Sequence, residues 1–157
     1  DYYNQCLHGV GHELWAKTYL SLNGTLRFCD GLKSTQNQDA CESGIFMEYS
    51  KGSTTKGHHT HLPAGKKVLP CDTLDAKYLR ECVDTEASYR QYVAGWESPA
   101  TTYDYCLSVA QSYQLACMNE VSQRLILAEA GQTALAENTC AQLPSGQKLC
   151  QQSISDE

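Results

Sequence analysis

Two histidines four residues apart are the side chains of this sequence best placed to do chemistry. His8 and His12 lie in the segment Cys-Leu-His-Gly-Val-Gly-His that begins at Cys6. On a helix, residues four apart share one face, and two imidazoles at that spacing can bind a single metal ion. Gly9 and Gly11 each cost about 1 kcal/mol relative to alanine inside a helix, which is tolerable where another backbone or a ligand approaches closely. Two alternatives stay open: a glycine-mediated helix crossing with two hydrogen-bonded histidines, and catalysis without a metal.

A second motif predicts a carboxylate beside the histidine pair. It reads Cys-Glu-Ser-Gly-Ile-Phe-Met-Glu over residues 41–48, and Gly44 and Glu48 share a face if the segment is helical. Two histidines and one carboxylate with open positions suit zinc or non-haem iron, whereas a nearby Met47 favours copper, which tolerates a thioether. The alternative is that Glu48 is a hydrogen-bond partner or lies on a solvated face.

The other three histidines form a second cluster. His58, His59 and His61 lie inside a long polar connection over residues 51–70. Clustered neutral imidazoles bind Cu(II), Ni(II) or Zn(II), and a connection of this length is uncommon in a compact domain unless it is functional. We therefore count these three as candidate metal ligands. The alternative is a solvated loop that binds metals only adventitiously.

The cysteines predict disulfide bonds and an oxidising compartment. Nine residues are cysteine, and the absence of any C-x-x-C argues against zinc ribbons, iron–sulfur clusters and thioredoxin chemistry. We expect a secreted protein, extracellular or periplasmic. Eight of the cysteines fall into consecutive pairs at similar intervals, which predicts local bonds: Cys29–Cys41, Cys71–Cys82, Cys106–Cys117 and Cys140–Cys150.

Crossed pairing is the alternative to these local bonds. Cysteines eleven apart on one continuous helix lie about 16 Å apart and cannot bond. Cys71 would then pair with Cys117, and Cys82 with Cys106. Loop-forming residues in the first interval and a Pro-Ser-Gly segment at 144–146 in the last favour local pairing. Three of the pairs also have a leucine three residues after their first cysteine, which indicates a degenerate helix-turn-helix repeat.

Cys6 has no partner under local pairing. On a helix it points about 200° away from His8, so the two do not easily share one metal ion. We favour an unpaired thiol or an interchain disulfide in a homo-oligomer, with a metal ligand and a buried thiol as alternatives. The sequon at Asn23 predicts a glycosylated surface loop of an exported protein.

Charge and hydropathy argue against two classes of partner. Twelve Lys and Arg against eighteen Asp and Glu leave a formal charge of −6, which repels phosphate backbones, so we expect no nucleic acid. No apolar run approaches the roughly 20 residues that cross a bilayer, so we expect no membrane span. The hydrolase signatures H-E-x-x-H and G-x-S-x-G are missing, and the sequence identifies no catalytic residue.

Helical periodicity predicts the fold class. Apolar residues recur every three or four positions over residues 2–22 and 101–130, and no stretch alternates as a strand does. We expect a single all-α domain over residues 1–157. It should be a compact array of five or six helices stapled by about four disulfides.

The order of these motifs resembles that of a group of exported Cys- and His-rich helical proteins. The matching motifs are C-x-H-G-x-G-H at 6–12, C-D-x-L at 29–32, C-x-x-G-x-F-M-E at 41–48, and P-C-D-x-L with Y-x-x-x-C at 70–82. The resemblance implies export, a helical disulfide scaffold, and His8, His12 and Glu48 acting as a unit. It implies no reaction, and the histidines at 58–61 lie outside the pattern.

The leading hypothesis is an exported protein that binds a transition metal, copper first and zinc second, with His8 and His12 as the core ligands. Since a histidine must be neutral to bind a metal, the affinity should fall below roughly pH 6.5. Two other functions stay open. One is a structural or assembly module of an extracellular complex or filament without metal. The other is a small secreted metalloenzyme whose histidine pair leaves positions for water, oxygen or substrate.

Overall fold

The chain is all-helical, as the periodicity predicts. The computed structural model describes residues 2–18, 20–51, 69–94, 99–128, 133–143 and 145–155. Within these ranges it has eight α-helices and no β-strand. The helices are α1 (Tyr2–Lys17), α2 (Leu22–Leu26), α3 (Thr35–Lys51), α4 (Leu79–Ala94), α5 (Pro99–Ser108), α6 (Gln111–Ala128), α7 (Thr133–Gln142) and α8 (Gln147–Ser155). In these same ranges, no helix is long and apolar enough to cross a membrane.

The described residues divide into two compact units, and the boundary falls inside α4. We call Asp1–Thr85 the N-terminal unit and Glu86–Glu157 the C-terminal unit. The expectation of a single domain over residues 1–157 stays a prediction, and each unit is described by itself.

The described residues contain more helices than the five or six predicted, because two periodic stretches are interrupted. The stretch 2–22 ends as a helix at Lys17, and Ser21 then caps α2, its hydroxyl accepting a hydrogen bond from the Gly24 N–H at 3.2 Å. The stretch 101–130 breaks between α5 and α6, where the Gln114 side-chain amide donates to the Leu107 carbonyl at 3.0 Å. A separate α8 follows Gly146, whose φ of 74° is the left-handed conformation that glycine favours.

The structure forms the four local disulfides and none of the crossed ones. The Cα atoms of each bonded pair lie 5.5–5.8 Å apart, within the usual range for a disulfide. The bonded pairs are Cys29–Cys41, Cys71–Cys82, Cys106–Cys117 and Cys140–Cys150.

The disulfides staple two different kinds of turn. The bonds from Cys29 and Cys71 each join a 3-10 turn, Cys29–Gly31 or Cys71–Thr73, to the helix that follows it. The other two bonds each join a pair of consecutive α-helices, α5 to α6 and α7 to α8. The predicted helix-turn-helix repeat is therefore not confirmed.

The core of the N-terminal unit forms where α1 packs on α3. Ile45 and Phe46 of α3 are fully buried, as is Leu26 of α2. The Trp15 ring of α1 packs at a tilt against the Tyr49 ring of α3, with 5.0 Å between ring centroids and 56° between the ring planes. Burial of such side chains is the main favourable contribution to folding, and here it holds together the two helices that carry His8, His12 and Glu48.

The C-terminal unit contains a chain of buried hydroxyl groups. Ser122 of α6 lies 2.8 Å from the Tyr103 hydroxyl and 2.7 Å from the Ser153 hydroxyl of α8. Ser153 in turn donates to the Cys150 carbonyl at 2.7 Å. Because all of these side chains are buried, each hydroxyl depends on its neighbour for a partner.

Candidate functional site

Two glycines bring α1 and α3 into backbone contact. A Cβ atom added to Gly11 would lie 2.1 Å from the Cys41 carbonyl oxygen, and one added to Gly44 would lie 2.0 Å from the His8 carbonyl oxygen. No side chain fits at either position. The two sequence motifs are therefore the two halves of one helix crossing. By contrast, a Cβ atom on Gly9 would meet nothing within 4 Å.

At this crossing, His12 bridges the other two predicted site residues. Its Nδ1 lies 2.8 Å from Glu48 Oε2, and its Nε2 lies 3.1 Å from His8 Nε2. The His12 side chain is 25% exposed and that of Glu48 is 11% exposed. The structure thus brings His8, His12 and Glu48 together in one partly buried row.

The contact with Glu48 assigns the proton on a neutral His12. A carboxylate can only accept, so Nδ1 carries the hydrogen and Nε2 carries the lone pair. That lone pair is directed to His8, whose Nε2–H then donates to it. This assignment follows from the hydrogen-bond pattern and not from observed hydrogens.

The separation of the two Nε2 atoms suits a shared metal ion. Two metal–nitrogen bonds of about 2.0–2.1 Å that span the observed 3.1 Å meet at roughly 100°, between square and tetrahedral geometry. Nowhere in the described part of the chain does a group of three or more His, Cys, Asp or Glu residues form a metal-holding cluster. Within that part, the crossing brings together two imidazole nitrogens, those at Nε2 of His8 and of His12.

The other candidate residues lie elsewhere or outside the described ranges. His58, His59 and His61 fall in residues 52–68, which are outside them. Cys6 is an exposed free thiol on α1, as local pairing predicts. It lines a groove of about 420 Å³ together with Val10, Leu14 and Lys17 of the same helix.

Asn23 does not lie in a loop, contrary to the expectation for its sequon. It belongs to α2, where Ser21 caps the helix. Its side-chain amide donates to the Thr73 carbonyl at 3.5 Å, and its carbonyl oxygen accepts from the Asp75 N–H at 3.3 Å. Asn23 thus connects α2 to the segment before α4, and its glycosylation stays a prediction.

Two carboxyl groups with raised pKa values, those of the buried Glu42 and the partly buried Glu81, were not singled out from the sequence. Burial raises the pKa of Glu42 to about 7 and that of Glu81 to about 8. Glu42 directly follows Cys41, and Glu81 directly precedes Cys82. Both cysteines are disulfide-bonded and at most 2% exposed. Their position beside a disulfide cysteine was the one sequence signal for burial, because the backbone next to a buried cysteine lies inside the fold.

The comparisons with known proteins identify no relative. No family model matches the chain, and no curated protein or solved structure is significantly similar to it. The geometry of the α1–α3 crossing is therefore the basis for assigning a function.

Proposed function

We propose that this chain is an exported metal-binding protein that holds one transition-metal ion between the Nε2 atoms of His8 and His12, copper first and zinc second. The observation that carries the proposal is the 3.1 Å separation of those two atoms. Neutral imidazole nitrogens are the protein donors best suited to both metals. The remaining coordination positions are taken by water.

Glu48 acts in this proposal as a positioning residue and not as a ligand. Its carboxylate accepts from Nδ1 of His12, the ring nitrogen opposite the one that binds the metal. Carboxylates in this position fix the tautomer and orientation of a histidine ligand and raise its basicity. The sequence suggested Glu48 as a third ligand. In this proposal Glu48 instead completes a carboxylate–histidine–metal arrangement, in which it acts on the metal only through His12.

Metal binding in this site would break the hydrogen bond between the two histidines. Without metal, the single ring proton of a neutral His8 lies on Nε2 and is donated to Nε2 of His12. For Nε2 of His8 to bind the ion, that proton moves to Nδ1, so the tautomer of His8 changes and its charge does not. Because protons and metal compete for the same lone pairs, the affinity depends on pH.

Export is supported by the disulfides. Four disulfides within one chain are compatible with an oxidising compartment, whereas cytosolic thiols are normally kept reduced. The proposal accordingly places the protein in an extracellular or periplasmic setting. In such a setting a two-histidine site would meet copper or zinc as free or weakly held ions.

The test is elemental analysis by inductively coupled plasma mass spectrometry on protein purified without a His tag or added metal. We expect about one copper or zinc ion per wild-type chain, lost in the His8→Ala/His12→Ala double variant. A His58→Ala/His59→Ala/His61→Ala triple variant is the matched control, and it should keep the ion. The proposal is contradicted if the wild-type protein is purified without metal, does not bind added copper or zinc, and stays folded after chelation.

Assembly through Cys6 is a second candidate function. The exposed free thiol of Cys6 lines the groove on α1 together with Val10, which is 44% exposed. In an oxidising compartment such a thiol can form an interchain disulfide by exchange with a disulfide-donating protein. A non-reducing gel should then show dimers for the wild type and none for Cys6→Ser. Monomer alone in both samples contradicts this role.

A further inference from the structure

The backbone that carries the histidine pair is held against α3 beside both histidines. The His8 carbonyl oxygen lies so close to Gly44 that a Cβ atom there would come within 2.0 Å of it, and Gly11, which precedes His12, lies against the Cys41 carbonyl oxygen. The two histidines are four residues apart on one helix, so their Cβ atoms are about 5–6 Å apart. The geometry of a bound ion must therefore come from the turning of the two rings.

This Cβ spacing excludes a straight arrangement of nitrogen, metal and nitrogen at the two Nε2 atoms. Nε2 lies at the far side of the ring from Cβ, and its lone pair points away from Cβ. With metal–nitrogen bonds of about 2.0 Å, a straight arrangement needs the two Cβ atoms to be roughly 10 Å apart. An angle near 100° instead fits Cβ atoms about 5–6 Å apart, in agreement with the 3.1 Å between Nε2 of His8 and Nε2 of His12.

Glu48 closes the other route to a straight arrangement, which runs through Nδ1. Nδ1 lies on the same side of the ring as Cβ, so an ion between two Nδ1 atoms can be bound in a straight line with the Cβ atoms about 5–6 Å apart. In the structure, Nδ1 of His12 lies 2.8 Å from Glu48 Oε2, and the Glu48 side chain is only 11% exposed. His12 is thus left with Nε2. Even if His8 used its Nδ1, a straight arrangement would need Cβ atoms roughly 7 Å or more apart.

The two oxidation states of copper differ in the geometry that they require. Cu(II) prefers nitrogen and oxygen ligands in a tetragonal arrangement, with neighbouring ligands at about 90°. The histidine pair supplies two neighbouring positions of this kind, and water fills the others. Cu(I) has a filled d shell and binds water poorly, so two imidazoles hold it in a straight line. The pair therefore fits Cu(II) and does not fit Cu(I).

We propose that the histidine pair holds copper as Cu(II) and releases it on reduction to Cu(I), whereas zinc, which has one oxidation state, stays bound. The inference rests on the proposed function, because it requires the pair to bind a metal, and it adds reduction of the ion as the control on its release. The electron donor is a small one-electron reductant such as ascorbate.

The release step transfers one electron. The ascorbate anion gives one electron to the bound Cu(II) and one proton to the solvent, and it becomes the ascorbate radical. Both copper–nitrogen bonds then break, and Cu(I) leaves. The proton of His8 returns from Nδ1 to Nε2, which restores the hydrogen bond to Nε2 of His12. The protein itself is neither oxidised nor reduced.

The test is anaerobic equilibrium dialysis of the full chain, with disulfides intact and equal total metal, followed by elemental analysis. The parent protein carries Cys6→Ser, because the exposed thiol would bind Cu(I) by itself, and also His58→Ala/His59→Ala/His61→Ala. Acetonitrile keeps free Cu(I) in solution. We expect about one Cu(II) ion per chain without ascorbate, loss of that copper with ascorbate, and about one Zn(II) ion per chain in both conditions.

Glu48→Ala and Glu48→Gln are matched variants of this parent. Alanine frees Nδ1 of His12 and permits a straight arrangement, so Glu48→Ala should keep its copper in ascorbate. The amide oxygen of glutamine still accepts from Nδ1, so Glu48→Gln should lose copper as the parent does. Loss of copper from Glu48→Ala as well overturns the role given to Glu48.

The parent protein separates failure of this inference from failure of the proposed function. If it keeps copper in ascorbate, or binds Zn(II) but not Cu(II), the inference is wrong and the pair remains a metal site. If it binds neither Cu(II) nor Zn(II), both proposals are wrong. These outcomes need no substitution of Glu48, so they decide the inference even if Glu48→Ala does not fold.

Discussion

Gly11 and Gly44 face each other at the contact of α1 and α3, so closely that a Cβ atom on Gly44 would lie 3.1 Å from the Gly11 Cα. This approach sets the distance between the two helix backbones. His12 follows Gly11 directly, and Glu48 lies one turn after Gly44. The glycine pair therefore determines whether the His12 ring reaches the carboxylate.

We expect Gly11→Ala to destabilise the N-terminal unit by about 1–3 kcal/mol, because the added methyl group overlaps the Cys41 carbonyl oxygen and forces the helices apart. Gly9→Ala is the matched control on the same helix. Its methyl group meets nothing, so the better helix propensity of alanine should stabilise the protein by up to about 1 kcal/mol. Urea unfolding followed by Trp15 fluorescence measures both. Equal effects of the two substitutions would show that the helices are not in close contact.

Glu48→Gln should weaken metal binding about 10- to 100-fold without changing the number of ions bound, because an amide can accept from His12 Nδ1 but does not raise its basicity. Competition with a chromophoric chelator at neutral pH measures the affinity. Glu13→Gln, an exposed change on α1, should leave it unchanged. Complete loss of the ion in Glu48→Gln would instead identify Glu48 as a ligand.

Metal affinity should fall as the pH decreases from about 7.5 to about 5, because protons compete with the metal for the imidazole lone pairs. The same competition assay across that range measures this dependence. Equal affinity near pH 5 and pH 7.5 would exclude the two histidines as ligands.

Ser122→Ala should destabilise the C-terminal unit by about 1–3 kcal/mol, because it leaves the buried hydroxyl of Tyr103 without its partner. Thermal unfolding followed by circular dichroism measures the loss. Ser155→Ala removes a hydroxyl that is exposed and bonds only within α8, and it should change stability by less than about 0.5 kcal/mol. If both variants melt alike, the buried hydroxyl chain contributes nothing.

Features that depend on neighbours in sequence were predictable. The local disulfides follow from the similar spacing of the four cysteine pairs and from loop-forming residues in the first and last intervals. The shared face of His8 and His12 follows from helical geometry alone. The sequence also predicted Glu48 beside the histidines. It could not predict which atom of His12 the carboxylate would meet, since that depends on how α1 crosses α3.

Features that depend on tertiary contacts were missed. Apart from its neighbour Cys41, nothing in the pattern marks Glu42 for burial, because glutamate is common on exposed helix faces. The same holds for Asn23, whose Asn-Gly dipeptide usually ends a helix. Here Ser21 caps a new helix instead, and the Asn23 side chain finds partners fifty or more residues away.

The four disulfides also have a consequence for how the chain matures. Each closes between residues separated by 10–12 positions, whereas eight cysteines in general allow roughly a hundred pairings. If the chain is exported as proposed and emerges with its N-terminus first, each bond can close before the next pair of cysteines arrives. Cys6, which precedes all four pairs, is then the cysteine that competes with the correct partner, first for Cys29.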